Sequence, residues 1–247
     1  MDRYEIPLFS PGLDRPLSVI RYGHWGRPVV VFPTSGGRAA DYADRGMVDA
    51  LAPLIDAGRV KLYCLDSLDH LSWSNKAVDH ETRAQHHDSY ERWVTDEVVR
   101  FIREDSPGSG DILATGCSLG GFHAVHFALR RPDLFPVAIA NSGAYDPSWW
   151  STWGYAGLAA YVHNPMWYVP DLGGERLDWL RSRLHLVLTV GRGPFETETG
   201  CLPTTRALAS RLQDKGIHCE LDEWGDDASH DWPWWQRQIV HHLPRFC

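Results

Sequence analysis

The sequence predicts an α/β fold, a mostly parallel sheet covered by helices on both faces, and three observations predict it. Short apolar runs such as Pro28 to Phe32, PVVVF, lack the polar alternation of a half-exposed strand, as strands buried on both faces do. These runs alternate with longer stretches of helical periodicity, the order expected of a parallel sheet with crossover helices. The third observation is LATGCSLGGFHAVHFAL, from Leu113 to Leu129. There a buried strand end, a turn holding Gly116, Gly120 and Gly121, and an amphipathic helix follow one another without a break. In a chain of 247 residues, 43% of them hydrophobic, one domain over 1–247 can bury a substantial core.

Taken in order, Tyr4 to Phe9 and Leu17 to Tyr22 are β-prone runs separated by SPGLDRP, whose Pro-Gly and Asp mark the turn of an opening hairpin. Pro28 to Phe32 is a buried strand that feeds the glycine-rich turn PTSGGR. Asp41 to Ala57 carries Tyr42, Met47, Val48, Leu51, Leu54 and Ile55 at helical spacing and closes on Gly58, predicting one helix. Lys61 to Leu65 is the next strand, followed by the polar connection DSLDHLSWSNKAVDHE and a helix from about Thr82 to Arg103. Further strands are expected at Asp111 to Ala114, Val137 to Ala140, Leu184 to Val190 and Cys219 to Trp224. Helices are expected near Thr204 to Lys215 and Trp234 to His242. Nine of the twelve tryptophans crowd between Trp149 and Trp179 and between Trp224 and Trp235. The segment of about 145–180 is longer than a crossover needs, and its aromatic content predicts an inserted cap over the functional site.

Composition narrows the functional classes. A formal net charge of −8 with unclustered basic residues argues against a phosphate-tracking surface, so no nucleic acid partner is expected. No run approaches the apolar length of a membrane span, and the first residues, MDRYEIPLFSPG, lack an apolar signal-peptide core, so a cytoplasmic protein without membrane contact is expected. Five cysteines at wide spacings, Cys64, Cys117, Cys201, Cys219 and Cys247, read as free thiols. His123 with His126 and His86 with His87 invite comparison with metal ligands, but no third ligand stands at a suitable spacing, so neither metal nor organic cofactor is expected.

The chemistry centres on Ser118. A Gly-x-Ser-x-Gly pentapeptide between strand and helix is the nucleophile elbow, whose glycines let the helix start close to the strand and hold the serine exposed in a strained conformation. A serine hydroxyl needs a positioned base and a carboxylate that orients that base. On an elbow of this kind the partners follow in the order acid, then histidine, on loops after late strands. His230, in WGDDASHDWPWW, is the histidine so placed. Glu196 and Glu198 are the carboxylates in GRGPFETETG; Glu196 is preferred as nearer the strand end, with Phe195 beside it as a possible apolar anchor. For oxyanion donors the expectation is the N–H of Leu119, after the nucleophile, and that of Gly36, after PVVVF. Trp149, Trp150 and Trp153 are expected to contact substrate.

PVVVFPTSGGRAADY, TGCSLGGFHAVHFALRRPDLF and WGDDASHDWPWW, in that order, resemble the putative esterase family, the esterase D-like branch of the α/β hydrolases. The resemblance implies the α/β-hydrolase fold, with Ser118 as nucleophile, His230 as general base and then acid, and Leu119 with Gly36 as the oxyanion hole. Relatives include carboxylesterases, S-formylglutathione hydrolases, feruloyl and siderophore esterases, and mycolyltransferases. The expected activity is therefore cleavage of small carboxylic esters through an acyl-enzyme. Acyl transfer on the same scaffold, and a catalytically silent binding protein, are the alternatives. Many family members carry an aspartate just after the penultimate strand's glycine, whereas this chain reads Gly191-Arg192-Gly193, which shifts the acid to Glu196 or Glu198.

Overall fold

A computed structural model describes residues 1–247. Eight strands form one sheet in the order β1-β2-β4-β3-β5-β6-β7-β8. They are β1 (Arg3–Ser10), β2 (Arg15–Tyr22), β3 (Arg27–Phe32), β4 (Val60–Leu65), β5 (Leu113–Cys117), β6 (Val137–Asn141), β7 (His185–Val190) and β8 (Cys219–Glu223). The opening hairpin pairs antiparallel and β2 joins β4 antiparallel, while every pairing from β4 to β8 is parallel. This is the α/β-hydrolase fold, and all eight expected strands are present within a few residues.

Both faces of the sheet are covered, which is why the central strands read as unbroken apolar runs. Along β3, Val30 and Phe32 enter one core cluster while Val29 and Val31 enter the other. The cluster holding Phe32 also takes in the helix after the elbow and the segment of about 145–180; the other packs under Met47 to Ile55 and Trp235. At the edge, β8 is only partly buried, and its Glu220 and Glu223 pair with Arg245 and Arg206. Charged edges of this kind resist pairing with other chains.

Two helices depart from expectation. Asp41 to Ala57 is three short helices, Asp41–Asp44, Met47–Ala50 and Ala52–Asp56. Gly46 interrupts the periodic run with φ of 73°, and Pro53 lacks the N–H that would continue the preceding turn. The helix expected from Thr82 starts at His80, where Asp79 accepts a bond from the Thr82 N–H at 2.8 Å. It passes through a π-helical stretch, Trp93–Val98, before ending at Asp105.

The segment of about 145–180 contains short helices, Leu158–Val162 and Pro165–Tyr168, before Gly174–Arg183 leads into β7. It is tied to the start of the long helix. The Glu81 carboxylate accepts from the N–H groups of Gly157, Ala159 and Ala160 at 2.7 to 3.0 Å, and Arg83 donates to the carbonyls of Trp150 and Ser151. No helix is long and apolar enough to cross a membrane.

Candidate active site

β5 runs straight into the elbow. Ser118 has φ 56° and ψ −121°, an unusual conformation for a residue with a side chain, and its N–H donates to the Asn141 carbonyl at 2.9 Å. The flanking glycines are sterically required. A Cβ on Gly116 would lie 2.5 Å from the Gly120 carbonyl carbon, and one on Gly120 would lie 2.3 Å from the Phe32 carbonyl oxygen. Strand, turn and helix therefore touch backbone to backbone, and the serine is held at the carboxyl end of the sheet, where parallel strands gather functional groups.

His230 reaches Ser118 from the loop after β8, its Nε2 3.1 Å from the serine Oγ and its Nδ1 3.2 Å from Glu196 Oε2. Two further contacts hold His230. Its backbone N–H donates to the Pro194 carbonyl at 3.0 Å, and Trp235 meets the imidazole edge-on with centroids 4.9 Å apart. Glu196 is fully buried, and its Oε1 accepts from the Ser142 hydroxyl at 2.5 Å and the Gly191 N–H at 3.3 Å. The Trp235 indole N–H donates to the same Ser142 oxygen at 3.0 Å. Each carboxylate oxygen thus has a partner, as a buried carboxylate requires.

Of the two glutamates in this loop, Glu196 is the one brought to the histidine, while Glu198 is exposed. Asp226 points away and pairs with Arg192 at 2.9 Å. The glycines flanking Arg192 account for the loop's course. A Cβ on Gly191 would fall 1.9 Å from the Ala228 carbonyl oxygen, and one on Gly193 would fall 2.6 Å from it, so the two late loops press together and bring Glu196 under His230. Phe195 is not the apolar anchor expected of it: with φ of 69° it turns outward and is 64% exposed. The left-handed residue rotates the chain so that its neighbour Glu196 points inward.

The cleft at Ser118 has a volume of about 310 Å³, and Leu119, Ser35, Trp73, Trp150, Thr199 and Cys201 are among its walls. Leu119 opens the helix Leu119–Arg130, so its N–H has no partner within that helix. The Gly36 N–H is directed at the buried Asp69 carboxylate, 3.1 Å away, and Gly36 is not part of the cleft wall. Of the three tryptophans expected at substrate, Trp150 alone lines the cleft, where it meets Trp73 and Phe122 edge-on. Trp149 is 61% exposed and rests over Gly200; Trp153 is 53% exposed and donates its indole N–H to the Lys76 carbonyl. Both are corrected to positions outside the cleft: Trp149, the last residue of the turn Pro147–Trp149, faces solvent, and Trp153 is held at its indole by the Lys76 carbonyl.

Sequence reasoning passed over Trp73, Ser142, Trp235 and Asp69. Ser142 stands at the carboxyl end of β6, a position that itself marks functional groups in parallel sheets. The others lie in a polar connection or a tryptophan cluster with nothing local to single them out. A larger cavity, about 590 Å³, opens at the opposite ends of the strands near Arg27 and Lys61 and contains none of the groups around Ser118.

The description of the protein family that matches residues 41–246 is Putative esterase. The chain belongs to that family. Solved structures of the same fold include a ferulic acid esterase, with 18% identity, TM-score 0.74 and coverage of 99% of this chain and 96% of that one. An S-formylglutathione hydrolase from Agrobacterium tumefaciens matches with 18% identity and TM-score 0.71 over 98% of this chain and 92% of its own. MPT51 of Mycobacterium tuberculosis is similar at 14% identity and TM-score 0.68 over 99% and 97%. No curated protein matches the sequence.

Proposed function

We propose that this member of the esterase family is a serine hydrolase that cleaves compact carboxylic esters through an acyl-enzyme. The observation that carries the reading is the chain Ser118–His230–Glu196, with contacts of 3.1 and 3.2 Å, ending at a strained serine in an open cleft. His230 Nε2 takes the hydroxyl proton as Ser118 Oγ bonds to the acyl carbon, and Glu196 holds the ring with Nδ1 protonated and stabilises the imidazolium. The tetrahedral intermediate collapses as His230 returns the proton to the departing alkoxide. Water, deprotonated by the same nitrogen, then releases the acid and restores Ser118.

The developing oxyanion takes the Leu119 N–H as one donor. Gly36 supplies the second, its N–H turning from Asp69 to the substrate oxygen; a backbone with φ of 65° and open space around its Cβ position suits that approach. A cleft of about 310 Å³ walled by Trp73 and Trp150 suits an acetyl- to aryl-sized acyl group rather than a long chain.

The engaged Gly36 N–H favours one rival, a catalytically silent binder that keeps the fold. A fluorophosphonate probe discriminates, since only an activated serine attacks its phosphorus, expelling fluoride to leave a phosphonylated Oγ. Stoichiometric labelling of Ser118 together with turnover of p-nitrophenyl acetate supports the esterase. Absence of both, in a folded protein, supports the binder. Product analysis with competing alcohols separates hydrolysis from acyl transfer.

A further inference from the structure

Behind the cleft wall, three helical segments bring together side chains that the Ser118 chemistry does not use. His87 and Glu91 lie one turn apart on the helix His80–Arg92, His126 is on the helix Leu119–Arg130, and His163 follows Leu158–Val162. His87, His126 and His163 are buried to within 1% of completely, and one ring nitrogen of each lies within 4.8 Å of one from each of the others. His126 Nε2 is 2.9 Å from His163 Nδ1, and Glu91 Oε2 is 3.7 and 3.5 Å from those two nitrogens. Both nitrogens of His87, Nδ1 of His126 and Oε2 of Glu91 are buried without a hydrogen-bond partner. Buried polar atoms are seldom left so, and the unpaired Glu91 Oε2 and one nitrogen of His87, beside the His126–His163 pair, mark a missing partner.

The outer contacts aim these donors inward. His163 Nε2–H donates to Asp88 at 2.8 Å, leaving the Nδ1 lone pair facing the cluster. Arg130 Nε donates to Glu91 Oε1 at 3.2 Å, leaving Oε2 free. Histidine and carboxylate ligands of metal ions are held in this way by their neighbours.

We infer that His87, His126, His163 and Glu91 form a binding site for a tetrahedral divalent transition metal, zinc by its donor set. Three imidazoles and one carboxylate without thiolate fit zinc, whose ligand atoms in a tetrahedron lie about 3.3 Å apart. The two distances to Glu91 Oε2, 3.5 and 3.7 Å, lie slightly above that value, and the 2.9 Å histidine pair needs to open only slightly. Four protein ligands in a sealed site leave no position for substrate, so the ion is structural. It fastens the 158–163 stretch to the two helices behind the cleft. Trp73 packs on His87 and His163 with centroids at 5.2 and 6.3 Å, and Phe122 stacks on His126 at 5.4 Å while meeting Trp150 at 5.0 Å. The rings that shape the cleft thus rest on the ligands.

The test uses the full chain, unfolded in chelator and refolded with zinc or cobalt(II), then dialysed. One zinc per chain is expected, the cobalt form should show the intense visible bands of four-coordinate cobalt, and zinc should raise the melting temperature above that of chelator-refolded protein. Two other clusters, Glu196 with Cys201 and His230, and His185 with His218 and Glu220, also bring three donors together, so His230→Ala and His218→Ala are the comparison variants. Both should keep the metal. His163→Gln should abolish the cobalt bands, and Glu91→Gln, nearly isosteric and so still folded, should weaken zinc binding at least tenfold. Wild-type protein that retains no metal overturns the inference. So does binding that survives His163→Gln and Glu91→Gln or vanishes in His230→Ala or His218→Ala.

Discussion

Glu196–His230 and Asp88–His163 are both carboxylate–histidine pairs at similar separations, 3.2 and 2.8 Å, on opposite sides of the wall that Trp73 and Trp150 form. The first chain ends at the Ser118 hydroxyl, at the mouth of a cleft, with the His230 side chain still 12% exposed. The second ends in His126 and His87, both buried to within 1% of completely, and at the buried Oε2 of Glu91. The difference teaches that a carboxylate-oriented histidine has no function of its own. What its second nitrogen faces, and whether a substrate can reach it, decides between moving protons and holding a structure together. A strained backbone marks the first chain, with Ser118, Ser142 and Phe195 all at positive φ, whereas the second is built from ordinary helix and its flank.

The most severe way to break this contrast is at the serine. Ser118→Ala should lower kcat/KM for p-nitrophenyl acetate by at least about 10³-fold and leave the melting temperature within a degree or two. Retention of more than a few per cent of the rate would remove the distinction between the two chains.

Next comes the acid. Glu196→Gln should lower kcat by about 10²- to 10⁴-fold, because an amide can hold the wrong tautomer of His230 and cannot stabilise its charge. Glu198→Gln and Asp226→Asn should stay within about twofold of wild type, which steady-state kinetics on the three variants would check.

The wall between the chains gives a smaller effect. Trp150→Leu should change the ratio of rates on acetyl and benzoyl esters by about tenfold, near 1.4 kcal/mol of discrimination. Trp149→Leu and Trp153→Leu should leave that ratio alone. Equal shifts in all three would mean that the cleft is shaped by the whole segment rather than by one ring.

The sealed chain should respond in stability rather than in rate. His163→Gln should cost about 1–3 kcal/mol by leaving buried polar groups unpaired, a fall of several degrees in melting temperature for a domain of this size. Its kcat on p-nitrophenyl acetate should stay within about fivefold. Calorimetry beside kinetics would sharpen the comparison, and a collapse of kcat without loss of stability would overturn it.

Much of the architecture was legible in consecutive residues. Apolar runs buried on both faces, a glycine pattern that only a strand–turn–helix contact requires, and the order of elbow, late acid and late histidine are all local facts, and they located Ser118 and His230. Helix continuity was less legible, since the apolar spacing of Asp41 to Ala57 is the same whether or not Gly46 breaks the run.

Tertiary structure alone decided the rest. Glu196 and Glu198 stand two positions apart in a polar loop, and only the contact of Gly191 and Gly193 with the Ala228 carbonyl, together with the left-handed turn at Phe195, sends one inward and the other out. Likewise, Trp150 and not its neighbours reaches the cleft because Trp73, 77 positions earlier, offers it an edge. The third histidine missing from the local spacing of His87 and His126 lies 37 residues beyond His126. A sequence specifies which groups can pair, but when partners are far apart along the chain their meeting depends on how whole elements pack. No local pattern records that geometry.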